Sequence, residues 1–425
     1  MRSHPPCKTL ICLYIVFQAL PSVSEAGTGD GLSLFSKQKI LESQSFEISP
    51  PALQFDEMGH VHLGWFEQQG EKRSLKTVHL VGPEKAPARI VQVNPATREP
   101  AALHQAPGLT IGAKDEVYFT WSTAQAKSDS PFASDLLLAR SHDRGLTFDA
   151  PITVNDDNQP ISHSFEHVLA MPNGNVYLAW LDHRGKDRSG AGAIFAASRD
   201  HGKTLGVNRT IDGMACLCCR PIMALAPDGG LWVAWRKTFE GNVRDVVLAR
   251  SHDGGSTFSA PHLVHQDGWI FPACPHRGPS LAFDRYNRLY VAWYTEGVDE
   301  QPKLLFSTSD DQGQTFSVPL SLHTSTTSLP DHLLMAVHED GAIVAVWEEV
   351  TGVRKRTVMR VSMDRGKTFG PVQTLSDGAK AEMPAVAVHS SGSVALAWTE
   401  HAWPHNRMIV QWGTLDLSRI KEPVP

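Results

Sequence analysis

One position in this chain recurs seven times. Trp65, Trp121, Trp180, Trp235, Trp293, Trp347 and Trp398 each close the same pattern: an apolar run, a turn rich in Gly, Asp and Asn, then alternating apolar residues up to the tryptophan. "PALQFDEMGHVHLGW", "HVLAMPNGNVYLAW" and "PSLAFDRYNRLYVAW" are three of the copies. The steps between the tryptophans are 56, 59, 55, 58, 54 and 51 residues, and seven of the eleven tryptophans of the chain hold this place. A self-similar period of that length describes an array of like units, so the 425 residues need not be divided into two or three unrelated domains. Within each unit the alternation has period two, the signature of strands, and 33 Gly and 28 Pro supply the turns between them.

A second pattern is interleaved with the first. S-x-D-x-G-x-T-F reads "SHDRGLTF" from Ser141, "SRDHGKTL" from Ser198, "SHDGGSTF" from Ser251, "SDDQGQTF" from Ser309 and "SMDRGKTF" from Ser362. Its residue types are those of a turn: the Asp side chain accepts from nearby backbone N–H groups and the Gly takes a backbone shape that other residues avoid. These five copies resemble the Asp-box, or BNR repeat, of sialidase-like proteins. The resemblance implies an all-β fold, a β-propeller of four-stranded blades: seven by repeat count, with six as the alternative.

Each unit then supplies an inner strand, a second strand ending at the Trp, a third leading into the S-x-D turn, and an outer fourth. The last unit lacks a fourth strand, and residues 33–43 ("LFSKQKILES" with its neighbours) have the character of the missing one, so they are expected to close the last blade and remove an exposed sheet edge. Residues 1–26 read as a signal peptide: Arg2 and Lys8 precede "LICLYIVFQAL", and Ser24 and Ala26 are the small residues before a cut. The expectation is a secreted or periplasmic protein, with residues 27–425 as one propeller domain. A net charge of −6 without a basic patch argues against a nucleic-acid partner. After removal of the signal no stretch is apolar enough to span a membrane.

In such a meander the segments leading into the inner strands and those following the tryptophans share one face, opposite the S-x-D turns. Three of the six cysteines, Cys216, Cys218 and Cys219, fall just before Pro221, and Cys274 falls before Pro279 at the equivalent place one unit later. His276, Arg220 and Arg277 lie in the same two segments. Three readings of this face stand side by side. The resemblance to sialidases implies hydrolysis of an anionic glycoside by a Tyr nucleophile with a carboxylate partner and an arginine clamp. Tyr294 and Glu296 fit the first two roles, Asp182 is the candidate acid, and Arg220, Arg236 and Arg277 are candidates to hold the anion. The family's F/Y-R-I-P signature is absent, because the matching stretch is "FEISPP". The second reading is a metal site for copper or zinc made by Cys216, Cys218, Cys219, Cys274 and His276. The third is a protein-binding propeller with structural disulfides, for which Cys216–Cys274 is the natural bridge.

Overall fold

The computed structural model describes residues 31–43, 47–85, 87, 89–126, 128–184, 191–376, 380–402 and 405–420. The expected signal peptide lies outside them. Among the described residues, apart from two short 3-10 turns, Glu240–Asn242 and Leu417–Arg419, every regular element is a strand. No helix among the described residues is long and apolar enough to cross a membrane.

The strands pair as antiparallel meanders in sequence order. The first runs from Ala52–Phe55 through Val61–Gln69 and Lys72–Leu80 to Val91–Gln92. Five more follow, beginning at Gly108, His163, Ile222, Ser280 and Leu329. In the last, Ala381–Val388, Ser393–Ala402 and His405–Leu415 are joined by Leu32–Ser43 from the start of the chain. That pairing runs from Leu32 opposite Leu415 to Ser43 opposite Asn406. The third and fourth meanders are also bridged to one another by a single pair, Ala215 with Lys237. The first strand of each meander lies against the first strand of the next, and that of the last against Ala52–Phe55. The first strands therefore form a ring around a common axis.

The repeat explains the core. All seven repeat tryptophans are at most 1% exposed. Each sits between neighbouring meanders, so the apolar clusters form a chain of inter-sheet layers rather than one centre. A buried indole N–H needs an acceptor. Glu67, Asp182 and Glu400, each two residues after its Trp and so on the same strand face, accept from Trp65, Trp180 and Trp398 at 2.9 Å.

The S-x-D turns are alike in all five copies. Ser141 Oγ donates to Asp143 and accepts the Gly145 N–H, while Asp143 accepts the Thr147 N–H. The same bonds recur around Asp200, Asp253, Asp311 and Asp364. The glycine has φ between 73° and 86° in every copy, which is why the position is glycine.

Candidate functional site

The segments leading into the ring's first strands surround a cavity of about 680 Å³ on the axis. Pro50 and Pro51, His104 to Ala106, Arg220 and Pro221, Pro275 to Pro279, Asp331 to Leu334, and Met383 with Pro384 bring six of the seven meanders to its wall. Two of these segments are not regular strand: the ladder breaks between Asp331 and Leu334 and between Glu382 and Ala385, as it does in the first strand of the third meander between Ser164 and His167. The first unpaired residue of each break, Phe165, His332 and Met383, has φ of 60°, 46° and 42°. A bulge of this kind re-aims side chains at the rim of a sheet, and strain in non-glycine residues gathers at functional places. Gly278 is fixed by a different need: a Cβ there would stand 2.3 Å from the Arg220 carbonyl oxygen of the neighbouring segment.

Tyr294 faces this cavity from strand Leu289–Thr295. Its hydroxyl donates to Glu296 Oε1 at 2.5 Å, and Trp269 Nε1 lies 3.3 Å from the other carboxylate oxygen. The Arg277 guanidinium stacks on the Tyr294 ring at 4.1 Å and is held by Asp331 through two hydrogen bonds of 2.7 and 3.0 Å. Burial, then the Glu296 carboxylate, pushes the Tyr294 phenol well above its ordinary range. Its proton is therefore retained at neutral pH and must pass to Glu296 if the oxygen is to react.

Histidines complete the rim. His104 and His276 meet edge to face at 5.6 Å, and burial lowers the pKa of both. His332 behaves oppositely. Burial works against its protonation, but Glu348, 3.2 Å away, and Asp331 outweigh burial and raise its pKa. Arg220 lines the same wall, with its guanidinium bonded to Gln105 Oε1 and the Ala106 carbonyl.

Two residues expected at the site are employed elsewhere. Arg236 is fully buried, and its three nitrogens donate to the carbonyls of Arg277, Arg244 and Tyr294 at 3.2, 2.6 and 2.6 Å. It ties the cavity wall together from behind and does not line the cavity. Asp182 is 1% exposed and accepts from Trp180 and Arg184, so its carboxylate serves the core.

The cysteines divide unequally. Cys216, Cys218 and Cys219 are buried, with their sulfurs all within 4.8 Å of one another. Cys216 Sγ lies 3.1 Å from Cys219 Sγ and accepts from Arg244 Nη1 at 3.0 Å. Contact with the Cys218 and Cys219 thiols, with the Arg244 charge behind it, draws the Cys216 thiol down. The same contacts push Cys218 up, while burial does so for Cys219. Cys274 is exposed and outside this group, and all four are free thiols, so the expected Cys216–Cys274 bridge is not formed. The reason is local: Cys216 turns into the core against Cys219, whereas Cys274 stays on an irregular surface segment. Cys218, Cys274 and His276 all reach a second, wider depression that adjoins the axial cavity.

No family model and no curated protein matches this chain. Solved structures do. A protein of unknown function from Dyadobacter fermentans aligns over 91% of this chain and 99% of its own, at 13% identity and a TM-score of 0.56. An ulvan lyase of polysaccharide lyase family PL25, bound to -[GlcA(1-4)Rha3S]-, aligns over 90% of this chain and all of its own, at 11% identity and a TM-score of 0.56. The Hadza microbial sialidase Hz136 aligns over 84% of this chain and 74% of its own, at 14% identity and a TM-score of 0.48. For the first two, at such identities, the likeness is one of fold.

Proposed function

We propose that the chain is an exported, seven-bladed propeller of the sialidase-like Asp-box class, and that it hydrolyses an anionic glycoside in its axial cavity. The observation that carries this reading is Tyr294 in the cavity wall beneath Arg277, with Glu296 in contact with its hydroxyl. A phenol becomes a nucleophile only with a base in contact, and Glu296 is in contact. Tyr294 Oη attacks the anomeric carbon as its proton passes to Glu296 Oε1. His332, raised in pKa and facing the cavity, gives the departing oxygen a proton in place of Asp182. Water then cleaves the glycosyl–tyrosine bond. Arg277 and Arg220 face the substrate's anion, and the prolines with Leu333 and Leu334 give its ring an apolar wall. An anionic oligosaccharide is also what the similarly folded ulvan lyase holds.

The test is turnover of fluorogenic sialosides and other anionic glycosides by the wild type and Tyr294→Phe. The reading requires turnover that the substitution abolishes. No turnover by the wild type, or equal turnover by both, rejects it.

The three converging thiols favour a second role for the adjoining depression. Cys216, Cys218 and Cys219 offer a soft, trigonal donor set for copper(I) or zinc, with Arg244 offsetting thiolate charge. One equivalent of metal lost on Cys218→Ser, with Cys274→Ser unaffected, is the expected result. Equal binding by wild type and Cys218→Ser rejects this second role.

A further inference from the structure

A different cluster lies at the opposite end of the first meander, on the side of the S-x-D turns. Asp56 follows strand Ala52–Phe55 and opens the turn into Val61–Gln69. Its Oδ1 is committed to that turn, accepting the N–H groups of Met58 and His60 at 2.9 and 2.8 Å. Its Oδ2 points into a group of imidazoles. His60 Nδ1 lies 3.4 Å away, His79 Nε2 3.6 Å and His62 Nε2 3.7 Å. His62 and His79 face each other across two paired strands, their rings stacked at 4.6 Å.

These separations are too long for hydrogen bonds, which close at about 2.7–3.2 Å. Asp56 Oδ2, His60 Nδ1, His62 Nδ1 and His79 Nε2 are nonetheless buried without a hydrogen-bond partner. The side chain of His62 is 1% exposed and that of Asp56 7%. Buried polar atoms left unpaired are costly and rare, and three around one point, Asp56 Oδ2, His60 Nδ1 and His79 Nε2, need a cause, while His62 presents its Nε2 to the same point and leaves its Nδ1 unpaired.

The fifth meander shows how the same place is satisfied without a ligand. Asp284 occupies the position of Asp56, and its Oδ1 accepts the N–H groups of Tyr286 and Arg288. Its Oδ2 accepts from the Tyr290 hydroxyl at 2.7 Å and from Arg365 at 2.6 and 2.8 Å. Tyr290 stands where His62 stands, second residue of the second strand. The first meander has exchanged a hydroxyl for imidazole and keeps the carboxylate oxygen open.

We infer that Asp56, His62 and His79, with His60 as the nearest fourth donor, bind a divalent cation of the zinc class. Around zinc, bonds of about 2.0–2.2 Å place neighbouring ligand atoms roughly 3.4 Å apart at tetrahedral angles. The observed oxygen-to-nitrogen separations of 3.4, 3.6 and 3.7 Å are of that size. Imidazole with one carboxylate suits zinc better than calcium or magnesium, which prefer all-oxygen shells. The ion clamps the turn at Asp56 to the third strand of its meander, and its role is structural. The inference is independent of the glycan reading and of the thiol group.

Zinc titration of the full chain carrying C216S, C218S and C219S isolates this site from the thiols. One equivalent bound, with a melting temperature that rises with zinc, is expected. His79→Gln on that background should weaken binding at least about a hundredfold and remove the thermal shift. Asp56→Asn, which keeps the turn's Oδ1 acceptor, should do the same if His79→Gln folds poorly. Absence of zinc binding by the triple variant, or unchanged binding in both substitutions, overturns the inference.

Discussion

Replacing Arg236 by lysine separates a structural cation from a ligand-binding one. Arg236 donates through three nitrogens to three carbonyls, and its guanidinium lies 4.8 Å from the centre of the Trp269 ring. Lysine keeps the charge but carries it as a point at the end of a flexible stem, and it cannot span carbonyls from three segments. At least two bonds should be lost. A hydrogen bond to a charged group contributes about 1.5–3 kcal/mol, so the loss should be about 3–6 kcal/mol, less whatever relaxation recovers. Urea unfolding followed by tryptophan fluorescence measures this as a fall in the midpoint at unchanged slope. A loss below about 1 kcal/mol would refute the assignment. An Arg236 that held substrate would instead leave stability intact and raise KM.

Asp182→Ala should destabilise by about 2–4 kcal/mol, because the Trp180 indole and Arg184 lose their acceptor in a buried place; the proposed turnover by the folded protein should be unchanged. Gly278→Ala forces a Cβ against the Arg220 carbonyl and should cost about 1–3 kcal/mol by urea unfolding while reducing activity, since Arg220 and Arg277 flank that contact. The pH profile should be lopsided. Glu382 is lowered by His401 and Lys355, so its contribution is present above pH 4.5 and disappears as pH falls through the depressed value. His401, raised by Glu382, and His332, raised by Glu348 and Asp331, contribute fully below pH 6.5 and lose that contribution as pH rises through their elevated values. Thermal melts across pH should show both flanks, with the alkaline one reduced in His401→Gln.

What the sequence made legible follows from how local each signal is. The seven tryptophans mark their units because every one fills a core layer between sheets, and the S-x-D turns are legible because Ser, Asp, Gly and Thr bond to one another within a few residues. Tyr294 and Glu296 share a strand face by their spacing of two. Charge, by contrast, does not say which way a side chain turns. Asp182, beside Trp180, reads as a free carboxylate until the indole's need for an acceptor is seen. Arg236 directly follows Trp235 and runs behind the cavity wall rather than into it. The breaks that turn Phe165, His332 and Met383 toward the rim depend on pairing between strands and leave no periodic trace. The Asp56 cluster draws on a turn and two strands. Its only local hint is "HVH" at 60–62, easily read as ordinary strand alternation.

The central claim is that Tyr294 reacts. A fluorinated glycosyl donor, which slows hydrolysis of a covalent intermediate, followed by mass analysis of the digested protein, tests it most directly. The account predicts a glycosyl mass on the peptide containing Tyr294, absent from Tyr294→Phe, whose turnover falls by about a thousandfold or more. A label on another residue, or turnover by Tyr294→Phe at the wild-type rate, would contradict it.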